Sequence, residues 1–530
     1  METTAPNPHR SDAAGQAIVL AAVCLAGLMM PLSFTGPAVA TPAIARDLGG
    51  SPIALAWVVN AFVLAFGSFV LAAGTLADQY GRKRIFRLGV LGFTLLSAVT
   101  AFAPSLLVLD LLRGAQGIAA AMAMAGGAAS LAQEFDGPAR TRAFSLLGTT
   151  FGVGLAFGPI WSGLLIEHFG WRAIFLSGTG IGLLVLLVGV PRMRETRDPG
   201  ARGIDAWGTA TFTAALSLLI FGIVTGPQYG WASPAVLALL GGSFALLAAF
   251  AAIERRQARP MLDLSLFRYR RFVGVQLLPL ATAVCFVVLL ILLPIGFIGV
   301  EGYSEIRAGM MMIPLSLPMA IVPFLAGMLA RRYPAGVLSA AGLVAAAAGL
   351  VWLAAIPLGQ QSTAIVWPML LIGAGTGLPW GLMDDLSVSV VPKERAGMAT
   401  GIFSTMRLAG EAVALAAAAA LLLALTQSGL AHTLHEPRAV AAIPAIANDM
   451  AAGALGHAAA QLGGEGRALL VAVYADAFRV LLLVLAALTL AGALAAWLLL
   501  RPAAYRASTL IQSANASTSG RRATSARITR

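Results

Sequence analysis

A seven-residue pattern occurs twice in this chain: Gly74-x-Leu76-Ala77-x-x-Tyr80 returns as Gly327-x-Leu329-Ala330-x-x-Tyr333, an offset of 253 residues that also separates Arg142-Ala143 from Arg395-Ala396. Both copies stand where a long apolar run gives way to basic residues. An internal duplication of apolar helices restricts the fold to two similar bundles facing one another. Many membrane proteins that alternate between two openings are built in this way.

The apolar runs repeatedly approach the roughly 20 residues that cross a bilayer as helix, and they lack the alternation of a barrel strand. With 59% hydrophobic residues, 11% charged residues and a mean hydropathy of +0.85, the chain of 530 residues carries about half the charge of a water-soluble globule. The composition therefore describes an all-α integral membrane protein. The net charge of +12 lies in short clusters between apolar runs, with no aromatic interleaving and no basic helix face, which argues against nucleic acid as a partner. Cys24 and Cys285 fall inside apolar runs and read as small core residues. His432, His435 and His457 supply too few ordered ligands for a metal. No phosphate-cradling loop and no Ser-His-Asp set is present, so the sequence implies neither a cofactor nor an enzyme. The polar N-terminus has no small-residue cleavage site, and the first apolar run is expected to stay.

Spans are expected at 17–39, 53–74, 85–103, 105–131, 142–165 and 172–190, then at 205–226 and 234–253, then at 272–298, 308–330, 335–356, 364–389, 398–425 and 479–500. With both termini in the cytoplasm, 27 of the 35 basic residues fall on the inner side and six on the outer, the asymmetry that orients membrane helices. The offset pairs the first six spans with the last six, leaving two as an inserted hairpin. The expected organisation is a cytoplasmic segment 1–16, a six-helix bundle 17–190, a linker 191–271 with the two extra helices and a basic segment, a second bundle 272–500 with an outer loop 426–478, and a disordered tail 501–530.

Several motifs resemble those of the major facilitator superfamily, in particular its fourteen-span drug:proton antiporters, over roughly residues 20–500. Gly74-x-Leu76-Ala77-Asp78-x-x-Gly81-Arg82-Lys83-Arg84 matches the loop between spans 2 and 3. Physically, Asp78 at a helix end can accept from a neighbouring helix N-terminus, while Gly81 permits a turn that brings Arg82 to an acid such as Glu134 or Asp136. The resemblance implies that this cluster latches the cytoplasmic side. Arg113, Gln116 and Gly117 match the span 4 motif, and an Arg in lipid, costing roughly 3 kcal/mol, should face a polar cavity or a carboxylate. Gly154, Gly158, Pro159 and Gly163 match the antiporter motif of span 5, where small residues allow close helix approach and Pro159 bends the helix at the expected rocking interface. Trp171-Arg172 also fits. The pattern departs at span 1, where Ser33 stands in place of the customary Asp before Val39-Ala40-Thr41-Pro42, and in span 6, where Gly178 and Gly180 replace Asn and Pro.

Embedded acids are the candidates for proton carriage: Glu411 first, then Asp110 and Asp384, with Asp385 on the opposite face of the same helix. The offset places Glu411 on Gly158. Arg407 precedes Glu411 by four residues, so the pair reads either as a coupling site or as a self-neutralised ion pair that lowers the insertion cost. Asp110 stands three residues before Arg113 and reads either as an intrahelical pair or as a substitute for the missing span 1 acid. Asp384 and Asp385 read either as cavity acids or as an inner ion pair with Lys393 and Arg395. Phe286, Met310, Met311, Met312, Trp380 and Phe403 are candidates for a lipophilic pocket.

Together these readings describe a monomeric multi-pass protein of the bacterial cytoplasmic membrane whose partners are a small-molecule substrate, protons, lipid and a periplasmic adaptor. The implied activity is proton-coupled efflux of amphipathic or lipophilic compounds, of the kind that confers drug resistance. A uniporter or symporter for a metabolite or anion, or a receptor that keeps the fold without turnover, are the alternatives.

Overall fold

The computed structural model describes residues 13–49, 52–197, 206–256, 264–303, 305–356, 363–391, 396–434, 437–451, 455–462 and 466–500. The terminal segments, the linker residues 198–205 and 257–263, His435, and the Lys393 and Arg395 expected to meet Asp384 lie outside the described residues.

Among the described residues all long elements are helices. The first six are α1 (Ala13–Leu48), α2 (Pro52–Tyr80), α3 (Arg82–Thr100), α4 (Leu106–Glu134), α5 (Gly137–Phe169) and α6 (Arg172–Arg192), the last with a π turn at Val185–Gly189. A hairpin follows, α7 (Ala206–Tyr229) and α8 (Pro234–Glu254). The second half has α9 (Arg270–Gly299), a broken α10 (Arg307–Leu329), α11 (Ala335–Ala354), α12 (Val366–Ser389), α13 (Ala396–Thr433), the short α14 (Pro437–Ala451) and α15 (Leu455–Gln461), and α16 (Arg467–Leu499).

The duplication seen in sequence is a duplication of packing. Helix α3 packs on α4 and α6, and α11, beginning 253 residues later, packs on α12 and α16. Likewise α1 packs on α5 as α9 does on α13, and α2 on α4 as α10 does on α12. The inserted α7 lies against α2 of one bundle and α13 of the other, burying Phe212, Leu216 and Ile220 with Leu71, Met398 and Ile402. Leu95, Phe102, Leu111, Leu187, Trp207 and Leu494 stand exposed on helix exteriors, which is where a bilayer rather than water must cover them.

Among the described residues, eleven helices are long and apolar enough to cross a membrane, or twelve if the bent α5 is one span. The expected fourteen is not reached on that measure, for a local reason in each shortfall. Helix α3 carries Arg82, Lys83, Arg84 and Arg87 in its first six residues, and the apolar part of α7 is confined to Trp207–Ile223. The segment expected as an outer loop at 426–478 is largely helical: α13 continues to Thr433, α16 begins at Arg467, and α14 buries Ile443, Ile446, Ala447 and Met450 along one face. Ala-rich sequence with period near 3.6 folds as helix once a neighbour covers that face.

The two ends of the molecule differ in charge. The end holding Arg82–Arg84 and Arg140 is called the basic end below; α2 and α12 run towards it, and α5 and α13 start from it.

Candidate functional site

The α2–α3 turn is set by Gly81, whose φ of 113° suits only glycine, and an added Cβ there would meet Glu195 Oε1 at 2.4 Å. The turn leaves Asp78 at the end of α2 and Arg82 at the start of α3, both buried. Asp78 Oδ1 accepts from Arg82 Nε at 3.1 Å and Nη2 at 2.9 Å, so the carboxylate that holds Arg82 is four residues before it, rather than the Glu134 or Asp136 expected from sequence. Asp78 Oδ2 accepts the backbone amide of Met398 at 2.9 Å, in the first turn of α13. An anion at a helix N-terminus satisfies an orphan amide and the helix dipole together. Glu195 does the same for α3, accepting from the amides of Lys83 and Arg84, and Lys83 Nζ donates to Met193 O. The segment after α6 is thereby strapped to the loop. Gly74 is buried within the last two turns of α2, and the Arg84 side chain is exposed.

Other contacts cross between the bundles near the same end. Arg140 Nε donates to Asp385 Oδ1 at 2.8 Å and Thr141 to Asp385 Oδ2 at 2.8 Å; Ser145 Oγ donates to Gly381 O at 2.6 Å. Gly148 and Gly152 bring α5 against the backbone oxygens of Trp380 and Met319, and Gly327, from the second copy of the repeat, faces Ser145. These partners were not read from sequence, because a cross-bundle pair leaves no local spacing.

Arg113 is fully buried and donates to Val58 O, Gln116 Oε1 and Ser33 O, with its plane 4.4 Å from the Phe62 ring. Gln116 passes the link to Ser97 Oγ. One side chain pair thus ties α1, α2, α3 and α4, and the arginine, besides its backbone acceptors, lines a small cavity with Ser33, Ser97, Gln116 and Phe175, in keeping with the polar cavity expected for a buried Arg. Asp110 is half-buried one turn away, its Oδ1 buried without a hydrogen bond.

On the other side of the seam, α12 splits its two acids: Asp385 faces Arg140, and Asp384 Oδ1 lies 3.6 Å from Arg407 Nη1. Arg407 therefore pairs across helices with Asp384 and also interacts electrostatically with Glu411, the partner that its helix spacing offers. Glu411 is half-buried one turn further along α13. Arg407 also lies 5.1 Å from the Phe151 ring and 5.6 Å from that of Phe403. An aromatic row crosses the seam through Phe62, Phe34, Phe151, Trp380 and Phe286, with ring centroids 5.7, 6.2, 6.4 and 6.1 Å apart in turn. Phe286, Trp380, Phe403 and Met312 are buried and Met311 is half-buried, whereas Met310 is exposed.

Of the span 5 glycines, Gly154 and Gly158 face α1: an added Cβ would meet Pro31 Cγ at 2.3 Å and Thr35 Oγ1 at 2.2 Å. They seal a helix pair inside one bundle, not the interface between bundles, and an added Cβ at Gly163 would meet nothing within 4 Å. Helix α5 bends by 46° between Gly137–Leu155 and Phe157–Phe169, where Pro159 supplies no amide to the carbonyl four residues back. At the 253-residue offset, Gly154 and Gly158 correspond to Arg407 and Glu411. The residues that close α5 onto α1 are thus replaced by charged residues in the second copy.

The profile of the Major Facilitator Superfamily matches residues 22–415. The chain is similar to the multidrug resistance protein Stp of Mycobacterium tuberculosis (strain CDC 1551 / Oshkosh), 35% identical over 409 residues, 77% of this chain and 75% of that one. It is also similar to a probable actinorhodin transporter of Streptomyces coelicolor, 32% identical over 427 residues, 78% of this chain and 72% of that one. A crystal structure of a double-Trp XylE mutant matches with a TM-score of 0.57 at 16% identity, covering 92% of this chain and 96% of that one, a likeness of fold. With its duplicated helical bundles, its latch motif and these relatives, the chain belongs to the major facilitator superfamily, a multi-pass membrane transporter and not an enzyme.

Proposed function

We propose that this transporter exports amphipathic or lipophilic small molecules from the bacterial cytoplasm in exchange for protons, by alternating access between its two bundles. The reading takes all fourteen long helices as spans, the basic end as cytoplasmic, and the two bundles as residues 17–190 and 272–500 around the inserted pair. The observation that carries it is the position of the contacts between bundles. Asp78 with Met398, Arg140 with Asp385, Ser145 with Gly381 and Gly401 with Leu71 join the bundles towards the basic end, with Asp384 among these contacts and Arg407 and Glu411 further along α13 on the seam. That arrangement suits a state closed to the cytoplasm, with scarce carboxylates at the floor of a cleft reached from the other side. Relatives named for multidrug resistance and for actinorhodin transport support a drug-like substrate.

One charge moved across 100 mV is worth about 2.3 kcal/mol, so even a one-proton exchange supports a gradient of nearly two decades. The test is the purified chain in proteoliposomes with an imposed pH gradient and ethidium as the transported probe. Glu411→Gln and Asp110→Asn should each reduce gradient-driven movement. If both variants transport with unchanged proton dependence, the assignment of the carrier acids fails. Ser33, whose carbonyl rather than a carboxylate meets Arg113, favours the second reading, a uniporter, in which movement survives collapse of the pH gradient.

A further inference from the structure

At the end opposite the basic loops, the second bundle holds a cavity of about 220 Å³ between α9, α11 and α16, walled by Leu293, Phe297, Leu353, Phe478 and Leu482. Asp476 and Arg479 of α16 stand exposed at its rim, three residues apart and so side by side on one helix face. Neither has a hydrogen bond or an ion pair among the described residues. Helix length gives the depth of the rim. The 20 residues of α11 span about 30 Å, the thickness of the hydrocarbon core, from Ala335 at the basic end to Ala354 on the cavity wall. The rim therefore lies at headgroup level, where Trp352 and Trp367 also stand exposed. The first copy is packed at the same place. At the 253-residue offset, Leu293, Phe297, Ala354 and Ile356 correspond to Ala40, Ile44, Ala101 and Ala103, each at most 1% exposed and clustered with Trp171 and Phe175 of α6. There the outer charges also answer one another, Asp47 with Arg172. The fold thus does not require a hollow at this place, nor two opposite charges left unpaired beside it.

We propose that this cavity binds one ethanolamine phospholipid of the leaflet opposite the basic end. Its phosphate meets Arg479, its ammonium meets Asp476, and one acyl chain enters between α11 and α16 against Phe297, Phe478 and Leu482. The match is first one of charge. A guanidinium fork suits phosphate oxygens, and a carboxylate accepts from the N–H groups of a primary ammonium. A phosphatidylglycerol headgroup brings no cation for Asp476 and sets its own negative charge beside that carboxylate. A choline headgroup has the charge but no N–H to donate. A soluble zwitterion would leave the apolar walls facing water, which is why the occupant carries a hydrocarbon chain. All of the walls belong to the second bundle, so occupancy does not depend on which way, or with what ion, the two bundles carry cargo.

The experiment is native mass spectrometry of the delipidated full chain, offered dioleoyl phosphatidylethanolamine in competition with dioleoyl phosphatidylglycerol, phosphatidylcholine or diacylglycerol. One ethanolamine lipid should be retained, favoured over each competitor by about threefold or more, as for an ion pair at an exposed rim. Asp476→Asn should erase the preference over phosphatidylglycerol and phosphatidylcholine, and Arg479→Gln the preference over diacylglycerol. Ala475→Phe, which fills the cavity as aromatic side chains fill the first copy, should remove the retained lipid whatever its headgroup. Both rim residues are exposed, so their variants carry the test if Ala475→Phe does not fold. Phosphoethanolamine without chains, in excess, should fail to displace the lipid. Equal retention of the four lipids by the wild type, a wild-type preference for phosphatidylglycerol, displacement by the bare headgroup, or an ethanolamine preference that survives both rim variants overturns the assignment.

Discussion

Asp78 Oδ2 accepts the amide of Met398 at 2.9 Å across 320 residues of chain, while its other oxygen holds Arg82. One carboxylate therefore ties α2, α3 and α13, and joins the two bundles at the basic end. Asp78→Asn keeps the shape but weakens both bonds, and it leaves Arg82 buried beside a neutral partner. Breaking a buried pair costs roughly 3–5 kcal/mol, well above the ~1 kcal/mol of a helix cap alone. The expected outcome is an opened basic end, read as faster thiol labelling of a Ser145→Cys reporter from that side. Unchanged labelling would mean that Asp78 does not hold the bundles together.

Arg140 and Asp385 form the second ionic tie across the seam, at 2.8 Å, with side chains 18% and 11% exposed. Arg140→Asp and Asp385→Arg should each loosen the basic end and slow transport, and the double exchange should recover part of the loss. A coupling of about 0.5–3 kcal/mol is the range for residues in direct contact. Additive losses in the double variant would show that the pair is incidental.

How much of this was legible in the sequence depends on the distance over which each signal acts. The duplicated bundles were legible because an offset survives in sequence, and Gly81 with Asp78 because a turn and a helix end are local. Asp78 as the close partner of Arg82 is not singled out by sequence, because several carboxylates stand near one loop. Helix spacing shows Glu411 beside Arg407, whereas Asp384 comes from another helix, α12, and leaves no spacing to read. Trp380 and Phe286 stand among the sequence's pocket candidates, but Phe34 and Phe151 do not, because each looks like ordinary membrane core until the helices bring the rings together.

Gly158 and Gly163 share a motif but not a job. Gly158→Ala drives a methyl to within 2.2 Å of Thr35 Oγ1, and overpacking of this kind costs about 1–3 kcal/mol. Gly163→Ala has open space around it. Melting temperature in detergent should fall for the first and not for the second, and Thr35→Ala should restore stability to Gly158→Ala. Equal losses at both positions would place the importance of the motif elsewhere than in the α1–α5 contact.

At the end opposite the basic loops, Asp47 accepts from Arg172 and from Trp171 Nε1, and these bonds, Arg172 first, hold its carboxyl below the ordinary carboxylate range. A depressed folded pKa gives stability that is full above the unfolded value of about 3.9 and is lost as pH falls through the folded value. The melting temperature of Asp47→Asn should therefore lie below wild type at pH 7 and converge with it as pH falls below 4. A gap that persists at low pH would assign the effect to packing rather than to charge.

Arg113 offers the sharpest separation of structure from transport. Its three acceptors are Val58 O, Ser33 O and Gln116 Oε1, and a lysine carries one point of donation where the guanidinium has a fork. Arg113→Lys should leave at least one of these oxygens buried and unpaired, at about 1–3 kcal/mol, and lower the stability of the first bundle. Ser33→Asp acts oppositely on charge, placing a carboxylate on the α1 turn whose carbonyl already meets Arg113. If Asp110 stands in for an acid missing from α1, proton-coupled transport lost in Asp110→Asn should return in the Ser33→Asp, Asp110→Asn double variant while Arg113 is intact, and should not return with Arg113→Lys added. Recovery that ignores Arg113, or no recovery in a double variant that melts at the wild-type temperature, would remove Asp110 from the proton path and leave Glu411 to carry it.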